Sequence, residues 1–486
     1  MIKERSRYHF VYQSILTQIE QGELSPGDSL PTARQLCQQY GVGITTIRRV
    51  LRMLQASQAI SCVQGRPALV VGTPGGHRPG SDGRFWAERG ATLLDLCTCV
   101  SHLYPGLVLE GAARWRRRKG PVLALAEEAE RAVRPVSQPI WMRSVVDRLL
   151  ATLENPILDG LCLTLRHWAS LLSMALTGDS CPETDIDMLC SVFYAVGQSI
   201  DMGETAKAAQ LIKQFYRLNY DLLKSCLPRM TGGLSPQPGV VFTWSGNSGR
   251  LHLYMDLSLK LMELIADGMI PDGAFLPSLA QLTGQYHVSE ITARKALAFL
   301  NELGVAHTIN GKGTQVTLSA CQRLDPPYHN PALREGVMNH LCTLQILALS
   351  CPEILAQAVA ASPASARAEA ARLLLDESFV QDDAKPVQWW LTFILRHTAS
   401  PSLRAICGQL AQMLKWGHLL LFYRHTTDKV AHIRRLSRRV IERIAANDTQ
   451  GAGSAAAAYY YYLFEAVRQS LPQEFAAGLP LLVYPG

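Results

Sequence analysis

Two stretches of this 486-residue chain repeat one another at a nearly constant distance. GELSPGDSLPTARQLCQQYGV at 22–42 returns in outline as GMIPDGAFLPSLAQLTGQYHV at 268–288. Gly22 pairs with Gly268, Pro31 with Pro277 and Gly65 with Gly311, each 246 positions on. The correspondence runs past this module. Leu96–Thr98 returns at Leu341–Thr343, and Pro156 returns at Pro401, both with an offset of 245. A shift held this steadily marks a duplication, so the chain reads A–B–A′–B′ and repeat architecture precedes every other inference. Turn-rich runs at 73–84 and 231–239, and the Asp325-Pro326-Pro327 stretch, separate the four segments.

Each A segment carries the punctuation of three helices and a hairpin. Val11, Ile15 and Ile19, like Leu257, Leu261 and Ile265, lie four apart and define one apolar helix face. Gly22 or Gly268 stops that helix and a Pro/Gly turn follows. Thr32 with Gln35, and Ser278 with Gln281, form the capping-box pattern that starts a second helix. A third helix carries ITTIRRVLRMLQ in the first copy and EITARKALAFLN in the second, with Ser289 a better N-cap than Gly43. AISCVQGRPALVV and VAHTINGKGTQVTL then read as two short strands about a glycine turn. This is a winged helix-turn-helix. Such a module lays its third helix in the major groove and brings its hairpin tip to the backbone.

The A segments resemble the GntR family of bacterial regulators, whose module runs G-x-L-x-P-G-x-x-L-P-S-x-R-x-L-A, then V-S-x-x-T-V-R-x-A-L, then a Q-G-x-G-T wing. The resemblance covers about 70 residues in each copy. It implies that Arg34 and Arg48 are the main base or phosphate contacts, helped by Thr45, Thr46 and Arg49 and by the wing tip Gly65-Arg66. Pro67 stands where the family's second wing glycine falls. In the second copy the implied contacts are Thr292, Arg294, Lys295, Gly311 and Lys312. That copy replaces the early arginine by Ala280 and opens its third helix with Glu290, which repels phosphate but can accept a hydrogen bond from cytosine. Its net charge is also lower. Residues 1–72 hold eight Lys/Arg against four Asp/Glu, while 251–318 hold four against six. The first copy therefore supplies most of any phosphate attraction.

The B segments are Leu/Ala-rich with helical spacing and resemble the all-α effector domain of the FadR-type branch, through RLLATLENPILDGLCLTLRHW and FILRHTASPSLRAICGQLAQML. That resemblance implies a small-molecule effector. Many members of the branch hold a metal with an Asp-x-x-x-His pair, and the matching positions here are Met142 and Val146, and Val387 and Leu391. These four side chains cannot ligate one, so no metal and no cofactor is expected. His418, His425 and His432 recur every seven residues with Asp428 between them. Seven residues span roughly 10 Å of helix, too far for neighbours to share an ion. The run Trp115–Lys119 and the arginines of 432–440 read as solvated basic helix surface or as added DNA contacts.

Twelve scattered cysteines form no compact disulfide framework and read as reduced thiols of a cytoplasmic protein. The charged start MIKERSRYHF is no signal peptide, and no uninterrupted apolar run of membrane-spanning length occurs. The expected protein is mainly α. It has winged helix-turn-helix domains at 1–72 and 250–318, each of three helices plus a β-hairpin wing, followed by all-α helical-bundle domains at 86–230 and 331–477. It is read as a transcription regulator, not an enzyme, that binds double-stranded DNA as a monomeric pseudo-dimer or a homodimer, with no membrane partner. Two rivals stand beside it: a regulator carrying a PLP-dependent aminotransferase-like domain, and a winged-helix interaction scaffold.

Overall fold

The computed structural model describes residues 8, 11–12, 15–16, 19, 24, 26–40, 42–62, 67–72, 83–133, 140–177, 182–235, 239–244, 253–318, 326–382, 385–417, 427–472 and 482. The chain divides into two compact units, one of Met1–Gly249 with Ser400–Ala405, the other of Arg250–Ala399 with Ile406–Gly486.

The first unit opens with a leading helix, seen at positions 8, 11, 12, 15, 16 and 19. Helices α1 (Ala33–Tyr40) and α2 (Ile44–Ala56) and strands β1 (Ile60–Ser61) and β2 (Leu69–Val70) follow. The strands pair antiparallel with Ile60 opposite Val70, and a bridge from Ser29 to Leu69 adds a third edge. The second unit repeats this with α9 (Leu253–Ala266), α10 (Leu279–Tyr286), α11 (Glu290–Glu302), β3 (Ala306–Ile309) and β4 (Gly313–Val316). There Ala306 faces Val316 and Phe275 bridges Gln315, each contact 246 residues beyond its counterpart.

Local chemistry explains the boundaries. Thr32 Oγ1 accepts from the Gln35 amide at 3.3 Å while Gln35 Oε1 accepts from the Thr32 amide at 2.9 Å. Ser278 and Gln281 close the same box at 3.3 and 2.8 Å. Burial then locks the helices together. Val11, Ile15, Ile19, Leu30, Leu36, Ile47, Val50 and Leu54 are all buried, as are Leu257, Leu261, Ile265, Leu276, Leu282, Ala293, Ala296 and Leu300 at the matching positions. Where Ile47 and Val50 shrink to Ala293 and Ala296, buried Phe299 and Met262 stand in the second core. The volume lost at two positions is regained at others.

Among the described residues, six helices follow the first winged helix and seven the second. In the first unit they are α3 (Gly83–Lys119), α4 (Val122–Val133), α5 (Ile140–Ala151), α6 (Pro156–Thr177), α7 (Glu183–Asp201) and α8 (Thr205–Met230). Helix α8 packs along both α3 and α7. The second unit has α12 (Pro331–Ala361), α13 (Ala364–Leu373), the short α14 (Glu377–Val380), α15 (Lys385–His397), α16 (Pro401–Leu414), α17 (Thr427–Ala445) and α18 (Thr449–Ser470). Helix α18 likewise packs along α12 and α17. By length and average composition α3 and α12 could each cross a membrane, although neither has an uninterrupted apolar run. Their most apolar windows are 50% and 72% buried inside the protein, which suits central bundle helices.

The basic run closing α3 is exposed at Arg116, Arg117, Arg118 and Lys119, yet several of its guanidinium groups are tied to neighbouring segments. Arg114 ion-pairs with Glu110 at 2.8 Å and donates to the carbonyls of Thr152 and Leu153. Arg116 donates to the carbonyls of Ile200 and Asp201, both at 2.9 Å, and Arg118 pairs with Glu154 at 2.8 Å. The stretch after α8 is also fastened. The Val240 amide donates to the Glu88 carbonyl at 3.1 Å, Thr92 Oγ1 donates to the Val240 carbonyl at 2.8 Å, and Phe242 and Trp244 are buried. A Cβ at Gly239 would collide with the Glu88 carbonyl, so glycine is required for this close approach.

One pair of matched residues tests the local energetics. Both third helices end in a left-handed residue, Gln58 at φ 60° and Gly304 at φ 72°. Glycine takes this conformation freely, whereas a side chain costs about 1 kcal/mol there. Gln58→Gly should slow amide hydrogen exchange in α2, and Gly304→Gln should speed it in α11, each by about fivefold. Unchanged exchange in both variants would contradict the strain assigned to these turns.

Candidate nucleic-acid interface and helical cavity

Helix α2 of the first winged helix turns Ile47, Val50 and Leu54 into the core and leaves Thr45, Arg48, Arg49 and Arg52 exposed. Thr46 is half-buried, and exposed Arg34 lies in the first turn of α1. Gly43 offers no side-chain cap and the first turn holds no acid, so the helix presents uncapped amides beside its arginines. Such an end favours anions. Two arginines are partly committed. The Arg49 guanidinium sits 3.8 Å over the ring of Tyr8, and Arg52 Nε donates to the Arg48 carbonyl at 3.4 Å. Gly65 and Arg66, the expected wing tip, lie outside the described residues.

The second winged helix has the same scaffold and a different surface. Ser289 Oγ accepts from the Thr292 amide at 3.2 Å, so the start of α11 is capped. Glu290 occupies its first turn and forms an ion pair with Arg294 one turn on. Thr292 is half-buried, its hydroxyl 2.8 Å from Ser289 Oγ, and Lys295 is exposed. The wing turns at Gly311, φ 76°, with the Lys312 amide donating to the Ile309 carbonyl at 3.0 Å, and both residues are exposed.

The first helical segment contains a cavity of about 120 Å³ among α3, α5, α6 and α8. Leucines, Trp168, Phe215, Tyr104 and Tyr216 form much of its wall. Arg143, Asn219 and the ion pair of Arg166 with Asp147, at 3.1 Å, supply its polar part. Burial pushes the Cys97 thiol up to about 12 and raises Cys162, Tyr104 and Tyr216 as well, so these groups stay neutral. Met142 and Val146, the positions matched to a metal-binding pair, lie on this wall. Of the histidine stripe, His418 and His425 lie outside the described residues, while the His432 ring packs 4.2 Å from that of Tyr462.

The family described as bacterial regulatory proteins of the gntR family matches residues 7–70 and again 253–316. Both winged helices are GntR modules. Curated relatives match over one such module. The mannosyl-D-glycerate transport/metabolism system repressor MngR of Escherichia coli (strain K12) is 41% identical over 63 residues, 13% of this chain and 26% of its own. The Uxu operon regulator of Haemophilus influenzae is 34% identical over 67 residues, 14% of this chain and 25% of its own. The chain thus spans about a quarter of the length of the curated relatives it matches. Among solved structures, Streptococcus agalactiae GntR (15% identity, TM-score 0.21) covers 44% of this chain and 100% of its own. A putative GntR regulator from Rhodococcus sp. RHA1 (17% identity, TM-score 0.26) covers 45% and 99%. TM-scores this low establish no shared arrangement of the whole.

Two features of the GntR modules and their neighbours escaped the sequence reading. Arg52 shares the exposed face of the first module's third helix, and its place four residues after Arg48 was the available signal. The cavity wall draws on four helices and carries no local motif.

Beside the cavity, burial and the Arg89 guanidinium push the His167 imidazole from its ordinary 6.5 down to about 4. Between those values the unfolded chain binds a proton that the folded chain refuses. Its contribution is therefore complete above about pH 6.5 and is lost as pH falls toward 4. Replacing His167 by Gln should flatten the fall in denaturant midpoint over that window. An equally steep fall in the variant would assign the pH dependence to other groups.

Proposed function

We propose that this chain is a sequence-specific transcription regulator of GntR type, acting in the cytoplasm on double-stranded DNA. The observation that carries the reading is the exposed arginine face of the first GntR module, Arg34, Arg48, Arg49 and Arg52, beside an uncapped helix start that holds no acid. Guanidinium groups there are suited to phosphates and to the O6/N7 edge of guanine. Thr45 lies exposed on the same turn, and Gly311 and Lys312 offer a wing contact from the second module. The two modules in one chain do the work of a two-chain dimer on an operator whose halves differ. A second reading, in which the second module is only an interaction scaffold, is favoured by its acid-bearing third helix.

Control by a small molecule is the finer part of the proposal. Apolar cavities of roughly 150 Å³ accept a guest the size of benzene. The cavity of about 120 Å³ suits one compact, largely apolar ring with a single polar group. Its walls include α3 and α8, and α3 also carries Glu88 and Thr92, which fasten the segment leading to the second module. A bound effector would bias that packing, and DNA would reciprocally change effector affinity.

Selection from a randomised duplex pool tests the DNA reading. Wild-type protein should enrich one asymmetric site, and Arg34→Ala/Arg48→Ala should lose most affinity with a shallower salt dependence. Arg294→Ala/Lys295→Ala should blur one half-site only. No enrichment by wild-type protein, with or without metabolite extract, would end the regulator reading. For the cavity, phenol should raise the thermal midpoint of wild type but not of Ala169→Phe, whose larger side chain fills the space. An equal rise in both proteins would place phenol elsewhere.

A further inference from the structure

The two third helices differ most where they begin. Ile44 opens one and Glu290 the other, at matched positions of elements 246 residues apart. Arg48 and Arg294 are matched too, one turn further on. Arg48 therefore has an apolar residue four places before it, whereas Arg294 is ion-paired to Glu290. Both members of that pair are largely exposed, with 70% of the Arg294 and 62% of the Glu290 side chain accessible. An exposed pair of this kind is weak and exchanges readily for other partners.

The surrounding charge is also unequal. Arg34, Arg48, Arg49 and Arg52 in the first module correspond to Ala280, Arg294, Lys295 and Ala298 in the second. Four cations without an acid thus face two cations with Glu290 among them. The second surface is too poor in charge to hold phosphates indiscriminately.

Resting on the reading that the chain binds duplex DNA, we propose that Glu290 determines the specificity of the second half-site. Paired with Arg294, it keeps that guanidinium from random phosphates. A G·C pair in the major groove releases both partners at once. Cytosine N4 donates to the Glu290 carboxylate, and guanine O6 and N7 accept from Arg294. An A·T pair is the poorer exchange, because adenine can donate N6–H to the carboxylate but lacks the adjacent O6/N7 acceptor pair that a guanidinium grips with two hydrogen bonds. The first module provides affinity and the second provides discrimination.

The experiment compares wild type, Glu290→Gln and Glu290→Ile in the same duplex selection, with affinity for an unselected duplex read at two salt concentrations. Because the side chain is exposed, thermal midpoints should stay unchanged and report intact folding. Wild type should enrich a G·C pair in one half-site. Both variants should bind unselected duplex about three- to tenfold more tightly, with a steeper salt dependence, and should lose the G·C preference in that half alone. Enrichment of the wild-type site by all three proteins, with equal affinity for unselected duplex, would overturn the role of Glu290 while leaving DNA recognition standing. A wild-type site conserved in only one half would overturn it as well, by making the second module a scaffold. Failure of wild type to select any duplex would instead remove the underlying reading, and this inference with it.

Discussion

A module as small as either winged helix has little apolar surface to bury, so each inward side chain carries a large share of its stability. The contact of the leading helix with the third helix is therefore the constraint on which the rest depends. Val11, Ile15 and Ile19 share one buried cluster with Ile47, Val50 and Leu54, and that packing decides which face of α2 looks outward. The arginines are exposed because the intervening positions are locked inside. The second module keeps the arrangement with different volumes, Ala293 and Ala296 against Phe299 and Met262. Shape is preserved by the sum of the packing rather than by any one residue.

Much of this was legible in the order of residues. The repeat, the capping boxes and the three-helix-plus-hairpin order all rest on local spacing, and the structure places elements at matched positions throughout the two winged helices. Long side chains were the harder problem. The run at Trp115–Lys119 looks like a solvated basic face, yet Arg116 reaches carbonyls 84 and 85 residues away, at Ile200 and Asp201. Arg49 covers the Tyr8 ring from the far end of the module. Periodicity tells which face a residue occupies and says nothing of the partner that a guanidinium will find.

The helical segments show the same division. Helical spacing was visible in both, and the absence of ligand-type side chains at Met142 and Val146 could be read directly. The cavity that these two residues help to line depends on how four helices fail to fill the space between them. Packing gaps of this sort are set by side chains scattered from Leu93 to Asn219. The fastening of Val240 to Glu88 is equally invisible locally, since a glycine in a Pro/Ser-rich stretch reads as a loose linker until its neighbour is known.

The duplication also governs how such a protein can change over generations. In an assembly of two identical chains, every substitution appears twice and alters both halves of whatever they grip. Within this chain a substitution alters only one of the two winged helices. Ile44 and Glu290 are the outcome at a single structural position: one helix opens with an aliphatic side chain, the other with an acid. The two winged helices can drift separately, because both are inherited within one polypeptide.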